Sequence, residues 1–171
     1  DLEQATATVT AGLKQFPDDV ELLYQSAVLL EKKGNRQQAM ERMRKILELD
    51  DSHAEALNFV AYHHAEKGTD LELALSQAQL ALKSKRTGYI IDTLGWIYFK
   101  LGRYEESREQ LEEASNLLPE DPVILEHLGD LYRALTLWEQ AAAAYRKSLQ
   151  LDPLAAGVAE KLQSLPVEQT P

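Results

Sequence analysis

An all-α array of antiparallel helix pairs is the fold class this sequence predicts, on three observations. Segments beginning at Val20, Ala54, Gly88 and Pro122 start 34 residues apart. Each holds two amphipathic stretches with a turn between them, marked by Gly34, Gly68 and Gly102 and, in the last copy, by Thr136. The eighth position of every copy is small: Ala27, Ala61, Gly95 and Gly129. Two antiparallel helices need small residues where their backbones approach most closely.

Taken in order, residues 2–17 read as a lone second helix, with Leu2, Ala5, Val9, Gly12 and Leu13 at the positions later copies use. Its first-helix partner is absent, so the chain reads as a fragment of a longer repeat protein. Pro17 stops that helix, and Asp18 and Asp19 offer carboxylate caps to the next. Copy 20–53 places Leu30 beside Ala27, then Ala39 and Met43 in its second helix. Copy 54–87 repeats this with His64, Ala74 and Ala78, and carries one extra residue near Thr69–Asp70. Copy 88–121 supplies Tyr98, Ser107 and Leu111, and ends at Pro119. Copy 122–155 begins with Asp121–Pro122, a cap followed by proline at the first helical position, and continues with Tyr132, Ala141 and Tyr145 before Pro153. Leu154, Val158, Leu162 and Leu165 form one narrow stripe, with Glu160, Lys161 and Gln163 away from it, predicting a capping helix over 154–165. The segment 166–171 reads as a disordered tail, and 1–165 as a single domain.

Composition narrows the function. With 44% apolar and 27% charged residues the chain has the balance of a folded soluble domain. Its longest apolar run, from Tyr89 to Phe99, is too short to span a bilayer and contains Asp92, which argues against membrane insertion. No signal-peptide pattern opens it, and neither cytoplasm nor periplasm is favoured. Without cysteine there is no disulfide, thiolate metal site or cysteine nucleophile. A net charge of −10 repels phosphate backbones and argues against nucleic acid.

Nothing points to catalysis or a cofactor: there is no phosphate-binding loop, dinucleotide fingerprint or nucleophile elbow. His63, His64 and Glu66 invite a metal reading, but adjacent histidines on a helix diverge by about 100° and cannot easily share an ion. Lys83, Lys85 and Arg86 sit where positive charge complements a helix C-terminus.

The stretches Leu94-Gly95-x-x-Tyr98 and Leu128-Gly129-x-x-Tyr132, with Ala141-x-x-x-Tyr145, Ala114, Pro119 and Pro153, closely resemble the tetratricopeptide repeat family. The resemblance runs over about residues 2–155. It departs from the family at Ser26, where leucine is usual, and in the first two copies, which do not end in proline. The stretch Gly88-Tyr89-x-x-Asp92-x-Leu94-Gly95-Trp96 is closer to bacterial members than to eukaryotic co-chaperones.

That resemblance implies a right-handed superhelical solenoid whose first helices line a concave groove. Positions 2, 5, 9 and 12 of those helices would face it: Glu21, Tyr24, Val28 and Glu31; Glu55, Asn58, Tyr62 and Ala65; Tyr89, Asp92, Trp96 and Phe99; Val123, Glu126, Asp130 and Arg133. The expected partner-binding residues are Tyr24, Asn58, Tyr62, Tyr89, Asp92, Trp96, Glu126 and Asp130. Exposed aromatics there would serve as binding hot spots, with Phe99 more suited to the core. Trp96→Ala is then expected to weaken binding with little loss of folding.

The positions at which some family members clamp a peptide carboxylate hold Tyr24, Val28, Phe59, Tyr89 and Thr93, or Asn58, Tyr62, Thr93, Val123 and His127. Neither set is cationic, so an apolar and basic partner fits better. The resemblance therefore implies a protein–protein interaction scaffold, not an enzyme, binding a peptide or helix. Two alternatives stand beside it. One is self-assembly, as a homodimer through an apolar N-terminal face near Leu2, Val9 and Leu13. The other is a regulatory module of a larger protein.

Overall fold

The computed structural model describes residues 1–166, which contain ten α-helices and no strand. The tail expected at 166–171 lies, beyond Pro166, outside the described residues. By packing, the chain divides after Lys85 into two compact units.

The first unit holds α1 (Leu2–Gln15), α2 (Val20–Lys32), α3 (Arg36–Leu49), α4 (Ala54–Lys67) and α5 (Leu71–Ser84). Carboxylates start its early helices. Asp1 accepts from the Glu3 amide and Asp19 from the Leu22 amide, satisfying donors that a helix N-terminus leaves open. Leu23, Ala27, Met43, Ile46, Ala56 and Val60 form the core, closed over by Leu13, Leu30 and Phe59 among others. Fully burying one such aliphatic side chain is worth roughly 1.5–3 kcal/mol. Of the N-terminal apolar face, Val9 is buried and Leu13 packs on this core, which leaves Leu2 and Phe16 exposed.

The turn in the second pair differs from the rest. Helix α3 starts 16 residues after Val20, but α5 starts 17 after Ala54. The added residue is accommodated by two left-handed residues, Gly68 at φ 65° and Asp70 at φ 49°. The next link, 85–87, is correspondingly short, three residues against four at 50–53, so Gly88 still falls 34 residues after Ala54.

The second unit holds α6 (Gly88–Lys100), α7 (Tyr104–Leu117), α8 (Pro122–Ala134), α9 (Trp138–Leu151) and α10 (Val158–Gln163). Asp121 caps α8 by accepting from the Val123 and Ile124 amides, with Pro122 preset for the first turn. Leu111, Leu128, Leu131 and Ala144 make one cluster; Ala141, Ala142, Tyr145, Val158 and Leu165 make another. The capping helix is shorter than its apolar stripe. Residues 153–157 form turns, Gly157 takes φ 79°, and Leu154 is left almost wholly exposed outside the helix. At the α8–α9 turn Thr136 adopts φ 60°, the conformation Gly34 and Gly102 hold in their copies.

Candidate protein-docking face

The eight sequence-predicted residues lie on first helices of both units, and their surroundings differ sharply. In the first unit Tyr24 on α2 and Asn58 and Tyr62 on α4 are each half-buried. The Tyr24 ring tilts against His53, with centroids 5.8 Å apart. Burial pushes its phenol pKa up, helped by Glu55 and opposed by Lys85. Glu55 is itself paired with Lys85, a bond that holds its carboxyl below the usual range. The Asn58 side-chain oxygen is buried with no hydrogen-bond partner, an acceptor that desolvation makes costly to leave unused.

The two adjacent histidines of α4 go different ways. His63 is buried, stacked on Phe59 at 4.9 Å, and neither ring nitrogen has a hydrogen-bond partner. His64 turns to the inter-helix turn, its Nδ1 lying 3.4 Å from the Thr69 hydroxyl and 3.4 Å from Asp70. Among the described residues no group of three His, Cys, Asp or Glu stands together as a metal site would require.

In the second unit only Tyr89 of the predicted residues is open, at 58% exposure. Asp92 and Trp96 are 5% and 6% exposed. The Asp92 carboxylate takes a hydrogen bond from His127 Nδ1 on α8, at 2.9 and 3.1 Å to its two oxygens. The His127 ring stacks on Trp96 at 4.1 Å, and Phe99 stacks on Trp96 at 4.8 Å. Lys100 Nζ lies 4.5 Å from the indole centroid, a cation–π contact. Trp96 therefore presents almost none of its ring to solvent, because an imidazole and a phenyl flank it.

Asp130 is likewise engaged. Tyr145 Oη donates to it at 2.6 Å, and Lys161 Nζ from α10 donates to its other oxygen at 2.6 Å. The same Lys161 reaches Glu126 at 2.6 Å. Burial drives the Tyr145 phenol pKa far up, and the Asp130 bond adds to it. Two of the predicted acids are thus held by the chain's own capping helix. His127 and Lys161 are the residues that sequence reasoning missed. The periodicity placed Lys161 off the apolar stripe, and that flank is the one facing α8.

The second residue of α8, Val123, is 45% exposed and sits at the register position of Tyr89 in α6. The described helices include none long and apolar enough to cross a membrane.

Comparison with known proteins gives matches to a TPR repeat model over residues 95–135 and to tetratricopeptide repeat models over 124–157 and 20–53. Together these span more than half of the chain. A TPR repeat-containing protein of Pseudomonas aeruginosa is 30% identical over 75% of this chain and 22% of its own length. The type IV pilus assembly protein PilF of the same species is 33% identical over 78% of this chain and 54% of its own. The chain thus spans about a fifth and about half of the curated relatives it matches. A thermophilic TPR protein of Thermus thermophilus superposes with a TM-score of 0.72 at 23% identity, over 95% of this chain and 89% of that one.

Proposed function

The chain belongs to the tetratricopeptide repeat family, and on that premise we propose that it is a protein–protein interaction scaffold binding a partner peptide or helix on its first helices. The observation that carries the reading is the pair Tyr89 and Val123. They stand at the same register position of successive first helices in one unit, and both are apolar and largely exposed. Surface apolar groups repeated on one face of a repeat array suit an apolar segment of a partner. Tyr24, Asn58 and Tyr62 contribute the corresponding face of the first unit. Asp92 and Trp96, being buried, act through the packing of α6 and α8 and not by touching the partner, and Glu126 and Asp130 are held by Lys161. The proposed role is to hold a partner: the buried Asp92–His127 pair has its imidazole stacked on Trp96 and serves the packing of α6 on α8.

The test is affinity capture from the native cell with wild type and a Tyr89→Ser, Val123→Ser variant, each checked for unchanged helicity. A protein retained by wild type and lost by the variant supports the face. Equal retention by both sinks it. Light scattering on the same samples addresses self-assembly, which would show as a dimer without any partner.

A second reading, participation in type IV pilus assembly, is favoured by the 33% identity to PilF over most of this chain. Deletion of the parent gene followed by counting surface pili tests it, and unchanged piliation would remove it.

A further inference from the structure

We infer that the first unit carries a second, separate docking site, a cationic trough between α1, α2 and α3 that takes an acidic segment of a partner protein. Two cavities of about 290 and 270 Å³ meet there and share Thr10, Ser26 and Arg42 in their walls. Lys33 lies at one end, and Lys14 and Lys45 at the other. In a chain of net charge −10, every ionisable group among the described residues lining the trough is a cation. None of the proposed first-helix docking residues lines it.

The availability of these groups distinguishes the trough from an ordinary charged surface. Lys45 is committed, to Asp18 at 2.6 Å and to the Pro17 carbonyl at 3.1 Å. Arg42, by contrast, has no ion-pair partner among the described residues, and the hydroxyls of Thr10 and Ser26 have no hydrogen-bond partner there. A guanidinium that shares both walls with two hydroxyls offers a carboxylate the forked, charge-assisted bonding it takes best. Lys33 and Lys14 to either side would meet further carboxylates of an extended chain, which is why a segment fits better than a lone anion.

The probe is a fluorescein-labelled oligoglutamate peptide, followed by anisotropy in low salt because such attraction is screened. Binding should weaken about tenfold for Arg42→Gln, the loss expected for one charge-assisted bond. It should weaken further for Arg42→Gln with Ser26→Ala, and stay unchanged for Lys147→Gln, a cation outside the trough. Tyr89→Ser should also leave it unchanged, which separates this site from the first-helix face. The inference is overturned by no binding by the wild type, an equal loss with Lys147→Gln, or displacement by inorganic phosphate at the concentration of the peptide. A dimer that Arg42→Gln dissolves would overturn it too, since the occupant would then be a second copy.

Discussion

The ring of Tyr145 occupies the space a β-carbon on Gly129 would need: an ideal Cβ built there falls 2.4 Å from Cε1 and 2.5 Å from Cδ1. Tyr145 cannot retreat, being fully buried with its hydroxyl fixed on Asp130. Gly129→Ala should therefore cost about 2–3 kcal/mol through overpacking, although alanine is intrinsically the better helix former. Gly95→Ala should cost less, because the overlap is smaller, the nearest neighbours being Leu111 side-chain atoms at 2.8 and 2.9 Å. Urea midpoints of the two variants check the order, and a harmless Gly129→Ala would refute the packing described.

Thr136 should be improvable. A β-branched residue at φ 60° is strained, and glycine holds this turn in three other copies. Thr136→Gly is expected to stabilise by about 0.5–1 kcal/mol, the relief exceeding glycine's entropic cost. Thermal melting reads this directly, and a lower Tm would contradict it.

His63 makes stability depend on pH. Burial lowers its pKa, with Arg36 and Lys67 assisting and Glu31 and Glu66 opposing. The unfolded chain then binds a proton near the ordinary value of about 6.5 while the folded chain does not. Stability from this residue is full above that pH and is lost as the pH falls through it toward the lower folded value. Urea midpoints should drop between about pH 7.5 and 5.5. His63→Phe, which keeps the stack on Phe59, should shrink that drop. An identical drop in the variant would assign it elsewhere.

Lys161→Met should leave Glu126 without its cation and the buried Asp130 with only Arg133, 3.7 Å away. A loss of about 1–3 kcal/mol is expected, between the cost of breaking exposed and buried pairs. Protease sensitivity near Val158 should rise in the same variant if α10 loosens, and unchanged digestion would mean its apolar contacts suffice.

The helix pairs were legible in the sequence because small and large residues recur in register, and that pattern depends only on the chain's own period. The site was less legible, for a physical reason. Position within a helix says which face a residue takes, but not what a later helix lays against it. Trp96 is covered by His127, 31 residues on, and Asp130 is met by Lys161, 31 residues on. Trp96→Ala is accordingly expected to cost about 3–5 kcal/mol of stability, not to spare folding.

The compensation around Thr69 carries a lesson for construction. A turn one residue longer is balanced by a link one residue shorter, so the start of each pair keeps its place in the count. Turn and link can therefore be traded against each other, and the hairpin tips become sites where foreign sequence is accommodated while the downstream helices keep their register. An engineer could lengthen the Gly34 or Gly102 tip by one residue and remove one from 50–53 or 118–121, using the natural second pair as the template.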